Sequence, residues 1–112
     1  MCSTTADVER FLKDFWRASS LKNIVLVPRD VNTEGLLALN LTKKAALGML
    51  MDLDVKNYCG GPESDSDCPG QVWMFGVVHN GIEAYIKLRL DDYGPKCISF
   101  HPAKHALCYP HK

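Results

Sequence analysis

Strict alternation of apolar and polar side chains marks the last third of the chain. Ile82, Ala84, Ile86, Leu88 and Leu90 alternate with Glu83, Tyr85, Lys87 and Arg89. Successive strand residues point to opposite faces, so this run predicts one buried face and one polar face. Asn80-Gly81 stands just before it, a pair that accepts positive φ at both positions and so predicts a type I′ hairpin. In that hairpin His79 pairs with Ile82, Gly76 with Tyr85 and Met74 with Lys87, while Trp73 and Phe75 face the buried side. A turn over 91–95 returns the chain. Leu90 opposite Lys96 then sets Ser99 beside Lys87 and His101 beside Tyr85. The same alternation buries Ile98 and Phe100 and turns Cys97, Ser99 and His101 to the polar side. Gly76, opposite Tyr85, is expected to leave open space above that face.

The first half reads as helices. Thr4, with Asp7 three positions on, resembles a helix start. Val8, Phe11, Leu12, Phe15 and Trp16 follow at helical spacing, which predicts a helix over 5–19 ended by Ser19-Ser20. Ile24 to Val27 is a short strand cut off by Pro28. A second helix is expected over 33–39. Thr42 caps a third, with Ala45, Ala46, Met49 and Leu50 on its apolar side. Asp52-Leu53-Asp54 reads as a turn and new cap before a short helix, Val55 to Cys59. Residues 60–71 carry glycines, prolines and the acidic group Glu63, Asp65 and Asp67, and read as a loop. The expected layout is one α+β domain over 1–112: mostly helical to 59, a loop over 60–71, an antiparallel meander over 72–101 and a tail over 102–112.

Size supports one hydrophobic core, since 112 residues is an ordinary single-domain length. Thirteen basic and thirteen acidic side chains cancel, so any nucleic acid must be held by a local patch rather than by a global field. The histidines all fall after Val72, where the basic residues also outnumber the acidic ones. No apolar run approaches the roughly 18 residues of a membrane span, and no signal-peptide pattern opens the chain. A cytoplasmic protein without membrane contact is expected. Five cysteines without a CxxC pair read as free thiols in a reducing compartment. Cys97, His101, His105 and Cys108 have spacings that suggest zinc, but Pro102 interrupts the helix that His101 and His105 would need. No metal or cofactor is expected.

Tyr85, Lys87, Arg89 and His101 on one sheet face suit a phosphate ester. Cleaving RNA without a metal requires a base for the 2′-hydroxyl, an acid for the 5′-oxygen and a cation for the crowded phosphorane. Histidine exchanges protons near neutral pH, so His101 is the candidate acid or base. Lys87 and Arg89 can hold the phosphate, Arg89 through a bidentate fork, with Ser99 beside them. Tyr85 can donate a hydrogen bond or stack on a base. The same residue types also occur on strands that are merely solvated, and a binding module for RNA or protein using this face is the rival reading.

An ordered set of motifs narrows the choice. Cys59-Gly60-Gly61-Pro62, then V-W-M-F-G over 72–76, E-A-Y-I-K-L over 83–88, I-S-F-H-P-A over 98–103 and Tyr109-Pro110 together resemble the MqsR-like toxins of bacterial type II toxin–antitoxin systems. The resemblance implies a RelE-type fold with helices packed on a curved antiparallel sheet. It also implies a metal-independent endoribonuclease acting on messenger RNA, free or on the ribosome, and neutralised by a protein antitoxin. Carried over by motif, the family's strand tyrosine falls on Tyr85, its strand lysine on Lys87, and the basic residue after Ser-Phe on His101. Departures from the family pattern are Met74 for a glutamine, histidine for lysine at His101, and a helix lysine that falls near Cys59. Lys56, about one turn away, is its candidate replacement as a substrate-binding residue.

Overall fold

The computed structural model describes residues 2–65 and 68–112. Thr4 caps the first helix as expected: its Oγ1 accepts a hydrogen bond from the Asp7 N–H at 3.1 Å, satisfying a donor that the first turn leaves without a helical partner. Helix α1 (Thr5–Leu21) buries Val8, Phe11, Leu12 and Phe15. It runs past the predicted end because the Ser19 and Ser20 hydroxyls donate back to the Trp16 and Arg17 carbonyls within the helix. Strand β1 is the short pair Val25–Leu26, and helix α2 (Asp30–Leu39) begins earlier than 33. Its start carries no side-chain cap, which removes the signal that located the other helices. Helix α3 (Lys43–Leu50) has the predicted cap, with Thr42 Oγ1 accepting from Ala45 N–H.

The strands form one sheet in the order β1-β5-β4-β3-β2, from β2 (Tyr58–Asp65), β3 (Cys68–His79), β4 (Ile82–Asp91) and β5 (Gly94–Pro102). This is an α+β fold with its helices N-terminal to most of the sheet. The sheet is mixed, because β1 lies parallel to β5 while the other neighbours are antiparallel. The β3–β4 hairpin has the predicted register through Gly76↔Tyr85 and Met74↔Lys87, with positive φ at Asn80 (54°) and Gly81 (76°). No helix among the described residues is long and apolar enough to cross a membrane.

The expected loop over 60–71 is largely strand, as β2 and the start of β3. Register shifts interrupt this pairing after Tyr58, Gly60 and Ser64, and such bulges erase the alternation by which a strand is read. Asp67 of the acidic group lies outside the described residues. The expected helix over 55–59 is only a 3-10 turn, Val55–Asn57, after which Tyr58 enters β2.

One face of the sheet carries the core. Phe11 of α1 stacks on Trp73 with ring centroids 4.7 Å apart, and Phe75, Ile86, Leu88 and Phe100 are fully buried beneath the helices. Aromatic pairs in this geometry add about 0.5–1.5 kcal/mol beyond area burial.

Strand β5 departs from the predicted pattern at one residue. From Ala84↔Pro102 to Lys87↔Ser99 the register is the expected one, but from Leu88↔Cys97 to Asp91↔Gly94 it has moved by one, leaving Ile98 as a bulge. The phase of the alternation reverses there. Cys97, expected on the polar face, is in the core with 0% exposure, whereas Ile98, expected in the core, packs with Val72 and Met74 on the outer face. Asn32 holds the bulge in place. Its Nδ2 donates to the Val27 and Ile98 carbonyls, at 2.8 and 3.0 Å, and its Oδ1 accepts from the Phe100 N–H at 3.0 Å. A helix side chain thus does for the β5 edge what β1 is too short to do.

Asn32→Ala should therefore leave the buried Phe100 N–H without its acceptor, at about 1–3 kcal/mol, and should weaken the hold on the Val27 and Ile98 carbonyls, which keep only their bonds from Arg29. Urea unfolding should show a loss of roughly 2–4 kcal/mol. A loss within experimental error would mean that water takes over the role of Asn32.

Candidate functional site

The bulge aims Ser99 and His101 outward beside Lys87 and Tyr85, and a cleft of about 320 Å³ opens over them. Tyr85, Lys87, Ser99 and His101 form its floor. The sequence brought these four together correctly, and in the predicted pairs: Lys87↔Ser99 and Tyr85↔His101. The Tyr85 and His101 rings lie 5.6 Å apart and tilted by 43°. His101 Nδ1 sits 2.9 Å from the Pro102 carbonyl. A carbonyl can only accept, so Nδ1 carries the proton and Nε2 is the nitrogen that can take one up.

Arg29 forms a side wall and was not singled out from the sequence. Its Nη1 donates to the Ile98 carbonyl and to Ser99 Oγ, each at 3.2 Å. The position has no local signature; it becomes part of the site because α2 begins directly after it and packs on β5. That packing is close at Gly35, where a Cβ would collide with His101 Cα and Cβ. Any larger residue at 35 would push α2, and Arg29 with it, away from the cleft.

The remaining wall is the C-terminal segment, 103–112, which folds back across the outer face as a strap. Ala103 N–H donates to the Glu83 carbonyl at 2.8 Å. The Glu83 side chain then accepts from Leu107 N–H at 3.0 Å and from the Tyr109 hydroxyl at 2.8 Å. Burial and the neighbouring Glu83 carboxylate push the Tyr109 phenol well above its ordinary range, so it remains a donor to Glu83. His111 finishes the strap by stacking on Tyr58 at 5.3 Å and meeting the Ser3 carbonyl at 2.6 Å. Lys104 and His105 of this strap line the cleft.

The strap overturns the expectation that Gly76 leaves open space. A Cβ there would collide with the Tyr109 hydroxyl and Leu107 Cδ1, so the glycine admits the chain's own tail. Arg89 is the second correction. It lies on the predicted face but is only 6% exposed, with its Nε 3.0 Å from Asp91 Oδ2, and it is not among the residues that line the cleft. Asp91 also pairs with Lys96 at 2.9 Å. Lys56 lies in the 3-10 turn before β2, next to α1 and β3, and is likewise outside the cleft.

The suggested zinc quartet does not converge, because Cys97 points into the core while His101 points out. Burial pushes the Cys97 thiol up to about 12, which disfavours the thiolate that a metal requires. Among the described residues no three His, Cys, Asp or Glu side chains are grouped so that they could hold a metal ion.

No family model, no curated protein and no solved structure matches this chain.

What the cleft can do follows from its own charges. Arg29, Lys87 and Lys104 line it, and among the described residues no carboxylate does. An anion is the complementary ligand. The carboxylate of Asp91 belongs instead to a structural cluster. Burial alone would raise its pKa, but hydrogen bonds from Lys96 and the Tyr93 N–H, with the Lys96 and Arg89 charges, outweigh that and hold it below the usual range. A depressed folded-state pKa contributes stability above the unfolded value, and that contribution is lost as pH falls through the folded value.

Asp91→Asn should accordingly be less stable than the parent at neutral pH, by about 1–3 kcal/mol. The gap should narrow as pH drops below about 4, where an ordinary aspartate protonates. Urea midpoints measured from pH 7 to pH 2.5 would check this; a gap constant across that range would show that the Asp91 charge is irrelevant.

Proposed function

We propose that this protein is an endoribonuclease that cleaves RNA at the cleft formed by Arg29, Tyr85, Lys87, Ser99 and His101, without needing a metal. The observation that supports it is the union, in one open cleft, of basic side chains, a histidine with an accepting Nε2, and a tyrosine, with no carboxylate lining it among the described residues. In this reading His101 Nε2 takes the proton from the 2′-hydroxyl, and the 2′-oxygen attacks phosphorus. The bond to the 5′-oxygen breaks, giving a 2′,3′-cyclic phosphate and a 5′-hydroxyl end. Charge builds on the non-bridging oxygens as the phosphorane forms, and Lys87 and Arg29 offset it there. Arg29 suits this role because its bonds to Ser99 and Ile98 hold the guanidinium before substrate arrives, so little ordering remains to be done in the transition state. Tyr85 positions the phosphate or stacks on a flanking base.

The resemblance of the Y-I-K and S-F-H strands to MqsR-like toxins supports the same chemistry. It extends the proposal to a toxin of RelE type acting in the cytoplasm on messenger RNA, with a protein antitoxin that covers the cleft. In that setting Arg29, which comes from the start of α2, takes the phosphate-binding role that the strand pattern assigned to Arg89.

The test is incubation of purified protein with labelled single-stranded RNA in the presence of EDTA. We expect cleavage to cyclic phosphate ends, and a loss of roughly 10²–10⁴-fold in His101→Ala, the usual range for removing a proton-transfer group. Arg29→Ala should weaken RNA binding and flatten its salt dependence by about one phosphate contact. Arg89→Ala, by contrast, should cost about 2–3 kcal/mol of stability and leave the rate per folded molecule unchanged. Salt-dependent binding without cleavage, on naked RNA and on ribosomes alike, would replace the nuclease by the binding module.

A further inference from the structure

Transfer of the 2′-proton to His101 leaves half of the proton balance open. The departing 5′-oxygen is an alkoxide unless a second group supplies a proton as the P–O bond breaks. The side chains that line the cleft restrict the choice sharply. Tyrosine, lysine and arginine ordinarily hold their protons well past neutral pH, which makes Tyr85, Lys87, Lys104 and Arg29 poor donors to recharge in each cycle. Serine is weaker still. Besides His101, one residue in the lining, among the described residues, belongs to a class that gains and loses a proton near neutrality: His105.

Position supports the same choice. In-line displacement places the attacking and leaving oxygens on opposite sides of phosphorus, so the base and the acid must come from different walls. His101 stands on the sheet, at the end of β5, and His105 stands on the strap that closes the cleft from above the outer face. The strap is not a loose tail. Glu83 grips it on both sides of His105, through its own carbonyl at Ala103 and its carboxylate at Leu107 and Tyr109. His105 is itself exposed, with room to reach a substrate.

We infer that His105 is the general acid of the site, donating its proton to the 5′-oxygen as His101 accepts one from the 2′-hydroxyl, with Glu83 as the positioning residue that holds the strap. The inference rests on the RNA-cleaving reading above. The step balances: one proton enters the protein at His101, one leaves from His105, the 2′-O–P bond forms and the P–O5′ bond breaks. Glu83 touches no reacting atom and acts only through the strap.

The experiment compares two oligoribonucleotides of identical sequence around the mapped cleavage site. One has the natural phosphodiester; the other carries sulfur in place of the bridging 5′-oxygen. A thiolate leaves without being protonated, so an acid is dispensable for the second substrate only. His105→Ala should lose roughly 10²–10⁴-fold on the oxygen substrate and stay within about tenfold of the parent on the sulfur substrate. His101→Ala should be slow on both, because each substrate still needs a base. Glu83→Gln, which keeps the shape of the clamp, should repeat the His105→Ala pattern more weakly. Circular dichroism and urea midpoints should leave His105→Ala indistinguishable from the parent, given its exposure. Equal losses on the two substrates, or no loss on either, would overturn the assignment while leaving the nuclease reading intact. Failure of the parent protein to cut either substrate would instead remove the nuclease reading itself, and the assignment with it.

Discussion

The bulge at Ile98 is the constraint on which the outer face depends. A β-bulge places one extra residue on one strand, bends it and reverses the alternation beyond it. Here it lets the first part of β5 put Cys97 into the core while Ser99 and His101 face outward. The bulge needs partners for the backbone groups that it takes out of the ladder, and Asn32 and Arg29 supply them at Ile98 and Phe100. The same hydrogen bonds that satisfy the bulge therefore fix the start of α2 against β5 and bring Arg29 to the cleft. Fold and candidate site share one set of bonds, so a change that relieves the bulge also disperses the site.

The strap makes a second use of the outer face. An antiparallel sheet covered by helices on one side can leave the other side in water, and β4 alternates as such a strand should. Glu83 alters the outcome at one end. With its carboxylate accepting two bonds from the strap and its carbonyl a third, it converts a flat polar surface into a walled cleft. Gly76 provides the necessary depth, since any side chain there would occupy the seat of Tyr109.

Local signals in the sequence carried much of this. Thr4 and Thr42 cap helices as read, Asn80-Gly81 makes the hairpin, and the alternation through β4 places Tyr85 and Lys87 on the outer face. From the register of the second hairpin, Ser99 and His101 joined them. What escaped reading was set at long range. The bulge has no sequence mark, because Ile98 is as apolar as any core residue, and its phase change depends on an asparagine 66 positions earlier. Strand β2 was missed because its register shifts break the period that identifies a strand. The presence of Arg29 in the cleft and the absence of Arg89 from its lining escaped reading for a related reason. Alternation reports which face a side chain takes, but not which neighbours close over it, and Arg89 is enclosed with Asp91 near the β4–β5 turn.

That enclosure has an electrostatic consequence for the cleft. Strand β4 carries acidic residues at Glu83 and Asp91, four positions to either side of Lys87. Four residues of strand span about 13 Å, more than the roughly 8 Å over which physiological salt screens exposed charges. Both carboxylates are also engaged, Glu83 by the strap and Asp91 by Arg89 and Lys96. Between Lys87 and Asp91 the outer face carries Val72, Met74 and Ile98, which are buried against one another and place no compensating charge beside the cleft. Neither of these carboxylates lines the cleft, where Arg29, Lys87 and Lys104 stand. A strand with near-balanced charge over its length is in this way positive at its middle, and the positive part is where His101 and Tyr85 stand. Neutrality of the whole chain and a cleft lined by basic side chains are compatible because the acidic residues of β4 are spaced and tied, rather than absent.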